Sequence, residues 1–326
     1  MTPLGRALTE RIRSEGPLSV EAYMEACNAY YYATRDPLGT RGDFVTAPEI
    51  HQMFGEIIGA ALADVWARSG KPAHAVYAEL GPGRGTLAKD ALRVMRRAGF
   101  EGAIHLIETS PILREAQAKL LPEAVLHDNL ASLPDAPLLM VANEFFDALP
   151  VRQFVDGRER HIILAGGGFA FDRDGPIIEQ SPARDDFAEA LGLRLATAGG
   201  AAIVIDYGHA DGEQRDTLQA VRGHKFSYVL DQPGEQDLTA HVDFAGLAEA
   251  ARRRGAKPSR VVTQGTWLET LGIGARAMAL AAKNPEDTEG ISAARRRLCD
   301  ESEMGHLFKV IALTGKGWPD VAGLES

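Results

Sequence analysis

The chain has 326 residues, of which 45% are hydrophobic and 25% charged, a composition that supports a real core. That length suits one large domain with insertions or two ordinary ones. A net charge of −10 argues against a partner held by phosphate neutralisation, so nucleic acid is not the expected ligand.

The opening stretch "MTPLGRALTERIRSEG" has no long apolar run, and Glu10 and Glu15 depart from the acid-poor habit of transit peptides. It is expected to be the first helix of a helical cap over residues 1–70, with no membrane insertion. The two cysteines, Cys27 and Cys299, are far apart and match neither a zinc spacing nor a disulfide framework. No metal is expected, and a reducing, cytoplasmic home is. Ser19 is positioned to cap a second helix. In "TAPE", Thr46 and Glu49 have capping-box spacing, with Pro48 in the first turn. Ile50, Phe54, Ile57, Ile58, Ala61, Leu62 and Val65 then recur at helical spacing, so one continuous amphipathic helix is expected from there.

Beyond Pro72 short apolar runs alternate with helical segments: "AVYAEL" then "TLAKDALRVMRRAG", "AIHLIET" then "SPILREAQAKLL", followed by "EAVLHD" and "PLLMVANEFF". Such alternation predicts a parallel sheet with right-handed crossovers. "RQFVDGRERHIILAGGGFAFD" interrupts it with antiparallel hairpins turning at "DG" and "GGG". "AAIVIDYG" restores a buried strand. Residues 208–243 form a long loop, the length of a lid or binding segment. A helix at 243–254, a strand in "SRVVTQ", a polar helical stretch at 267–302 and a last strand in "HLFKVIALTGK" complete the chain.

The stretch "AELGPGRGT" carries the chemistry. Gly81, Gly83 and Gly85 bare the backbone where the first strand meets a helix, and ligands of open parallel sheets bind beyond such strand ends. Pro82 removes one N–H donor and Glu79 places a carboxylate nearby, which suits a cationic ligand better than a pyrophosphate. No Walker lysine precedes Thr86. Glu108, ending the second strand, can accept both hydroxyls of a ribose. Asp128 and Asn129, after the third, can meet an adenine amino group. S-adenosylmethionine fits this set. On the fourth strand Asn143, Glu144 and Asp147 reach the same rim, and Asp206 and Tyr207 arrive from the next. Carboxylates there can align a cationic acceptor and handle one proton. Asp43, Phe44, Thr46, Glu49 and Gln52 could form a lid. His241 and Asp243 suit a structural or gating role, and His209 a hydrogen-bonded one.

In order, "GDFVTAPEIHQMFGE", "ELGPGRGTLAKD", "IETSPILREAQ", "ANEFFDALPVRQF", "IDYG", "DLTAHVDF" and "EMGHLFKVI" resemble the MidA-like class I methyltransferases over about residues 5–315. The resemblance implies a Rossmann-like α/β fold with a seven-stranded, mostly parallel sheet over residues 71–315, interrupted by insertions at 151–199 and 266–303. It implies S-adenosylmethionine as donor, with Glu79, Gly81 and Gly83 at its methionine portion, Glu108 at the ribose and Asp128 or Asn129 at the adenine. Asn143 and Glu144 would face the acceptor, which the mitochondrial members of the family suggest is an arginine of a respiratory complex I subunit. Two rival functions remain: a small-molecule methyltransferase, and an assembly chaperone that binds the donor without catalysis.

Overall fold

A computed structural model describes residues 1–35, 46–212 and 216–325. Its central sheet follows a path of seven strands. These are β1 (Val76–Leu80), β2 (Ile104–Ile107), β3 (Val125–His127), β4 (Leu138–Asn143), β5 (Gly200–His209), β6 (Lys257–Pro258) and β7 (Phe308–Thr314). Their spatial order is β6-β7-β5-β4-β1-β2-β3, and β7 runs antiparallel to β5 and β6. Two further two-residue strands, Val242–Asp243 and Val262–Thr263, pair with β5 and β7, so the sheet counts nine strands where the sequence suggests seven.

Every residue of β1, β2 and β4 is buried, because helices cover both faces of a parallel sheet. On one face Tyr77, Leu139, Val141, Ile203 and Ile205 meet α3 (Met53–Arg68) and α4 (Thr86–Arg97). On the other, Ala78, Leu80, Met140, Ala142 and Val204 meet α6 (Pro182–Ala198) and α7 (Phe244–Arg253). Helix α4 stops as its sequence suggests. Gly99 takes φ +93°, its N–H bonds to the Arg96 carbonyl, and Phe100 N–H bonds to that of Met95.

The expected helix through Ile50 is broken. Ala47–Ile50 forms a single turn, His51 is extended, and α3 begins at Met53. The capping box does not form, since the Thr46 side chain makes no cap bond. Glu49 is instead occupied by the Thr86 hydroxyl at 2.7 Å and by Arg84 at 3.8 Å. His51 Nδ1 accepts from the Met53 N–H at 3.1 Å and so serves the new helix start.

A second layer lies over the sheet's carboxyl edge. Helices α1 (Pro3–Glu15) and α2 (Val20–Thr34) share one apolar cluster with Val151 and Ile162 of the first insertion and with Ala220, Leu238 and Ala240 of the 208–243 segment. Ser19 caps α2, as its position suggests. The hairpins turn at Asp156-Gly157 and Gly166-Gly167, all four residues at positive φ, which matches the right-handed twist of the paired strands. Helix α3 packs with the sheet and not with α1 and α2, so the apolar clusters divide the chain inside the 1–70 segment. Residues 208–243 are not one loop: Gln219–Arg222, Lys225–Ser227 and Asp237–Thr239 build a three-stranded antiparallel sheet. The 267–302 stretch also goes deeper than its polarity suggests, because Trp267, Leu268, Ile273, Ile291 and Leu298 join the main core.

Candidate active site

The strand order reverses between β1 and β4, where a crevice opens beyond the carboxyl ends. The registers place the strand ends level: Leu80 lies beside Ile107 on one side and Ala142 on the other, and Asn143 beside Ile205. Gly81, Glu108, Asn143 and Asp206 therefore reach one edge by geometry that the parallel sheet imposes.

A cavity of about 920 Å³ occupies that crevice. It is bordered by Glu79, Gly81, Gly83, Glu108, Asp128, Asn129, Asn143, Glu144 and Asp147, all of them singled out from the sequence. Asp206 lies behind the wall. Its Oδ2 accepts from the backbone N–H groups of Phe145, Phe146 and Asp147 at 3.2, 2.9 and 3.2 Å, and the residue is fully buried. It thus fixes the loop that carries Glu144 and Asp147 and does not face the cavity. Asp43 and Phe44 lie outside the described residues. Thr46 and Glu49 border the cavity.

The glycine turn has the bareness its sequence implies. Gly81, Gly83 and Gly85 take φ of +57°, +55° and +85°. A side chain at Gly81 would place its first carbon 3.1 Å from the Phe145 ring, so the turn packs its backbone directly on the β4 loop. Beneath it, Glu79 receives the Tyr77 hydroxyl at 2.6 Å, and burial raises its carboxyl to about 8. Glu108 Oε1 is fixed by the N–H groups of Thr109 and Ser110 at 2.9 and 2.8 Å. Its Oε2 has one long contact, 3.4 Å, from Gln117, and burial raises this carboxyl too. Asp128 pairs with Arg114, and the Asn129 side chain caps the turn Leu130–Ser132.

On the β4 loop, Glu144 stands at φ +51°, a strained left-handed backbone that β4 enters as it ends. Its Oε1 accepts from the Ala47 N–H at 3.4 Å and from Asn143 at 3.2 Å. Burial first, and Asp147 second, raise its carboxyl to about 8. Asp147 is raised as well, by burial, although the Tyr207 hydroxyl and Arg184 oppose the shift. The buried Asn143 Oδ1 has no hydrogen-bond partner, an unmet acceptor on the cavity wall.

Several contributors escape the sequence reading. Gln117 donates to the Gly83 carbonyl at 2.6 Å and ties the glycine turn to Glu108. It is a polar residue four positions after the buried Leu113 on one helix face, and that placement is its signal. Tyr32 from α2 and Asp237 also border the cavity. Asp237, Thr239 and His241 alternate with apolar residues, a period-two pattern that marks one strand face. Asp243 instead caps α7, accepting from Ala245 and Gly246 at 3.0 and 3.1 Å. His209 pairs with Asp211 at 3.3 Å.

A crevice at the switch point of a doubly wound sheet, with a bared glycine turn and carboxyls on its wall, has the form of a Rossmann-like methyltransferase site. The model of a family described as putative S-adenosyl-L-methionine-dependent methyltransferases matches residues 57–172 and 163–262. The chain belongs to that family. It is 34% identical to the fruit fly protein arginine methyltransferase NDUFAF7 homolog, mitochondrial, covering 95% of this chain and 84% of the relative. It is 32% identical to human protein arginine methyltransferase NDUFAF7, mitochondrial, covering 96% and 83%. A likely methyl transferase of the COG1565 superfamily from Burkholderia thailandensis, bound to S-adenosyl-homocysteine, superposes with a TM-score of 0.85. It is 27% identical, over 98% of this chain and 93% of that one. The chain is thus an S-adenosylmethionine-dependent methyltransferase. The relatives' names overturn the expected cytoplasmic location, because those proteins are mitochondrial.

The residues present fit that donor. The bared turn, the Glu108 oxygen with one long contact and the unmet Asn143 oxygen supply space, a ribose acceptor and a further acceptor on one wall.

Proposed function

We propose that the chain methylates an arginine of a protein partner, a subunit of respiratory complex I. The observation that carries this reading is the pair of carboxyls on the cavity wall, half-buried Glu144 and buried Asp147. Two acids packed together in a buried wall are unfavourable alone and favourable around a cation, and a planar guanidinium satisfies carboxylates in pairs. The curated relatives are protein arginine methyltransferases by name, which supports the same acceptor.

When bound, S-adenosylmethionine supplies a methyl group already activated on a positively charged sulfur. The chain's own task is then alignment, exclusion of water and custody of one proton. The glycine turn and Glu79 hold the methionine end, Glu108 the ribose, and the 128–129 backbone borders the adenine. Glu144 and Asp147 grip the guanidinium. With the cation in place to lower its raised carboxyl, Glu144 takes the proton that the acceptor nitrogen sheds as its new N–C bond forms. Asp206 acts at one remove, holding the loop.

A small-molecule acceptor is the second reading, favoured by the residues of α2 that close the cavity from above, Asn28, Ala29, Tyr32 and Ala33. Methyl-labelled donor, incubated with the chain and a mitochondrial or bacterial membrane-protein extract, separates the two. The protein-arginine reading expects label in arginine of a polypeptide and its loss, by at least a hundredfold, in Glu144→Gln with donor binding retained. Label confined to small molecules would refute it.

A further inference from the structure

The cavity is also lined by Asp237, an acid that the mechanism above leaves idle. Asp237 lies on the strand Asp237–Thr239, is 5% exposed and borders the cavity with Asp147. Each of these two carboxyls is held by a phenol. The Tyr32 hydroxyl donates to Asp237 Oδ1 at 2.8 Å, and Tyr207 bonds Asp147.

The segments that carry them are far apart in sequence yet tied at three places. Ala240 N–H donates to the Asp147 carbonyl at 3.0 Å. Asn28 of α2 donates to the Ala148 and Leu238 carbonyls at 3.0 and 2.8 Å and accepts from Leu238 N–H at 3.2 Å. Arg184 donates to the carbonyls of Phe146, Asp147, Ala240 and His241 at 2.7, 3.2, 2.8 and 2.6 Å. A buried amide and a buried guanidinium are thus committed to backbone, and they fix the two segments against each other so that both carboxyls border one cavity. Buried polar groups joined so fully give rigidity and a single geometry. The unmet Asn143 Oδ1 on the same cavity wall marks a place where a ligand's donor is still owed. Nearby Glu144 feels both acids, Asp147 and then Asp237, as like charges.

We propose that Asp147 and Asp237 form a two-carboxylate clamp for one planar guanidinium, set by Tyr207 and Tyr32. The proposal rests on the reading of the acceptor as arginine and adds where its selectivity resides. Two oriented carboxyls suit the fork of five N–H donors on a guanidinium and leave a compact ammonium poorly matched. Tyr32 and Asn28 come from α2, which precedes the segment matched by the family model, so the layer above the sheet selects the acceptor while the sheet edge holds the donor.

The test is calorimetry on the full chain saturated with S-adenosylhomocysteine, with N-acetyl-arginine methylamide and its lysine counterpart as probes. The clamp predicts that the arginine probe binds at least tenfold tighter than the lysine probe. It predicts a loss of about 10–100-fold in arginine-probe affinity for Asp237→Asn, the scale of one charged hydrogen bond, with homocysteine-nucleoside affinity unchanged. An Asp237→Asn chain that takes the arginine probe as the native chain does overturns the clamp and leaves the arginine reading standing. A native chain that binds both probes alike overturns the clamp without recourse to any variant. A native chain that ignores the arginine probe altogether refutes the acceptor reading itself.

Discussion

Glu79 and Glu144 are carboxyls held near 8 where 4.5 is ordinary, both chiefly by burial. The sign of the consequence is fixed. The folded chain keeps these protons to higher pH than the unfolded chain, so the stability they contribute is whole below about pH 4.5 and is lost as pH rises through about 8. Each unit of separation is worth about 1.4 kcal/mol. The urea midpoint of the donor-free chain should fall steadily from pH 5 to pH 8, and Glu79→Gln or Glu144→Gln should each flatten the slope. A midpoint that rises across that range would contradict the burial of both acids. At this scale the sequence was informative about residue type and strand end, since a parallel sheet sends every strand's last residue to one edge. It misplaced Asp206, because a carboxylate after a strand reads the same whether it faces a ligand or three backbone N–H groups. It missed Asp237, whose partner Tyr32 lies 205 positions away in the chain.

At the scale of elements, α3 and α4 make a close helix contact against the sheet's first crossover. Gly59 faces the Ala91 backbone so tightly that a side-chain carbon there would lie 2.4 Å from the Ala91 carbonyl oxygen. The contact positions the helix that follows the glycine turn, since α4 begins at Thr86 and Thr86 is bonded to Glu49. Gly59→Val should therefore separate the two helices and destabilise the fold by about 1–3 kcal/mol or more, read as a lower thermal midpoint. An unchanged midpoint would mean that the packing is loose. Strands and crossover helices were legible because apolar runs and caps are local signals. The break at His51 was not, because it depends on Glu49 reaching Thr86 and Arg84 on another element.

At the scale of the molecule, two layers divide the work. The sheet edge and its glycine turn form one wall, and α1, α2, the hairpins and the small sheet at 219–239 form the other. Composition and motif order made the first wall evident. Of the second, the helices and hairpins were legible, but the small sheet was read as a loop because its strands are only three or four residues long. Its contribution to the cavity, through Asn28, Tyr32, Asp237 and Thr239, makes acceptor choice a property of the whole chain. The most direct measurement is a crystal structure with S-adenosylhomocysteine and an arginine amide bound together. The account predicts the sulfur between the Gly81–Gly83 turn and the Glu144 carboxyl, the ribose on Glu108, and the guanidinium among Glu144, Asp147 and Asp237. A nucleoside lodged away from the glycine turn, or a guanidinium held apart from those three acids, would contradict it.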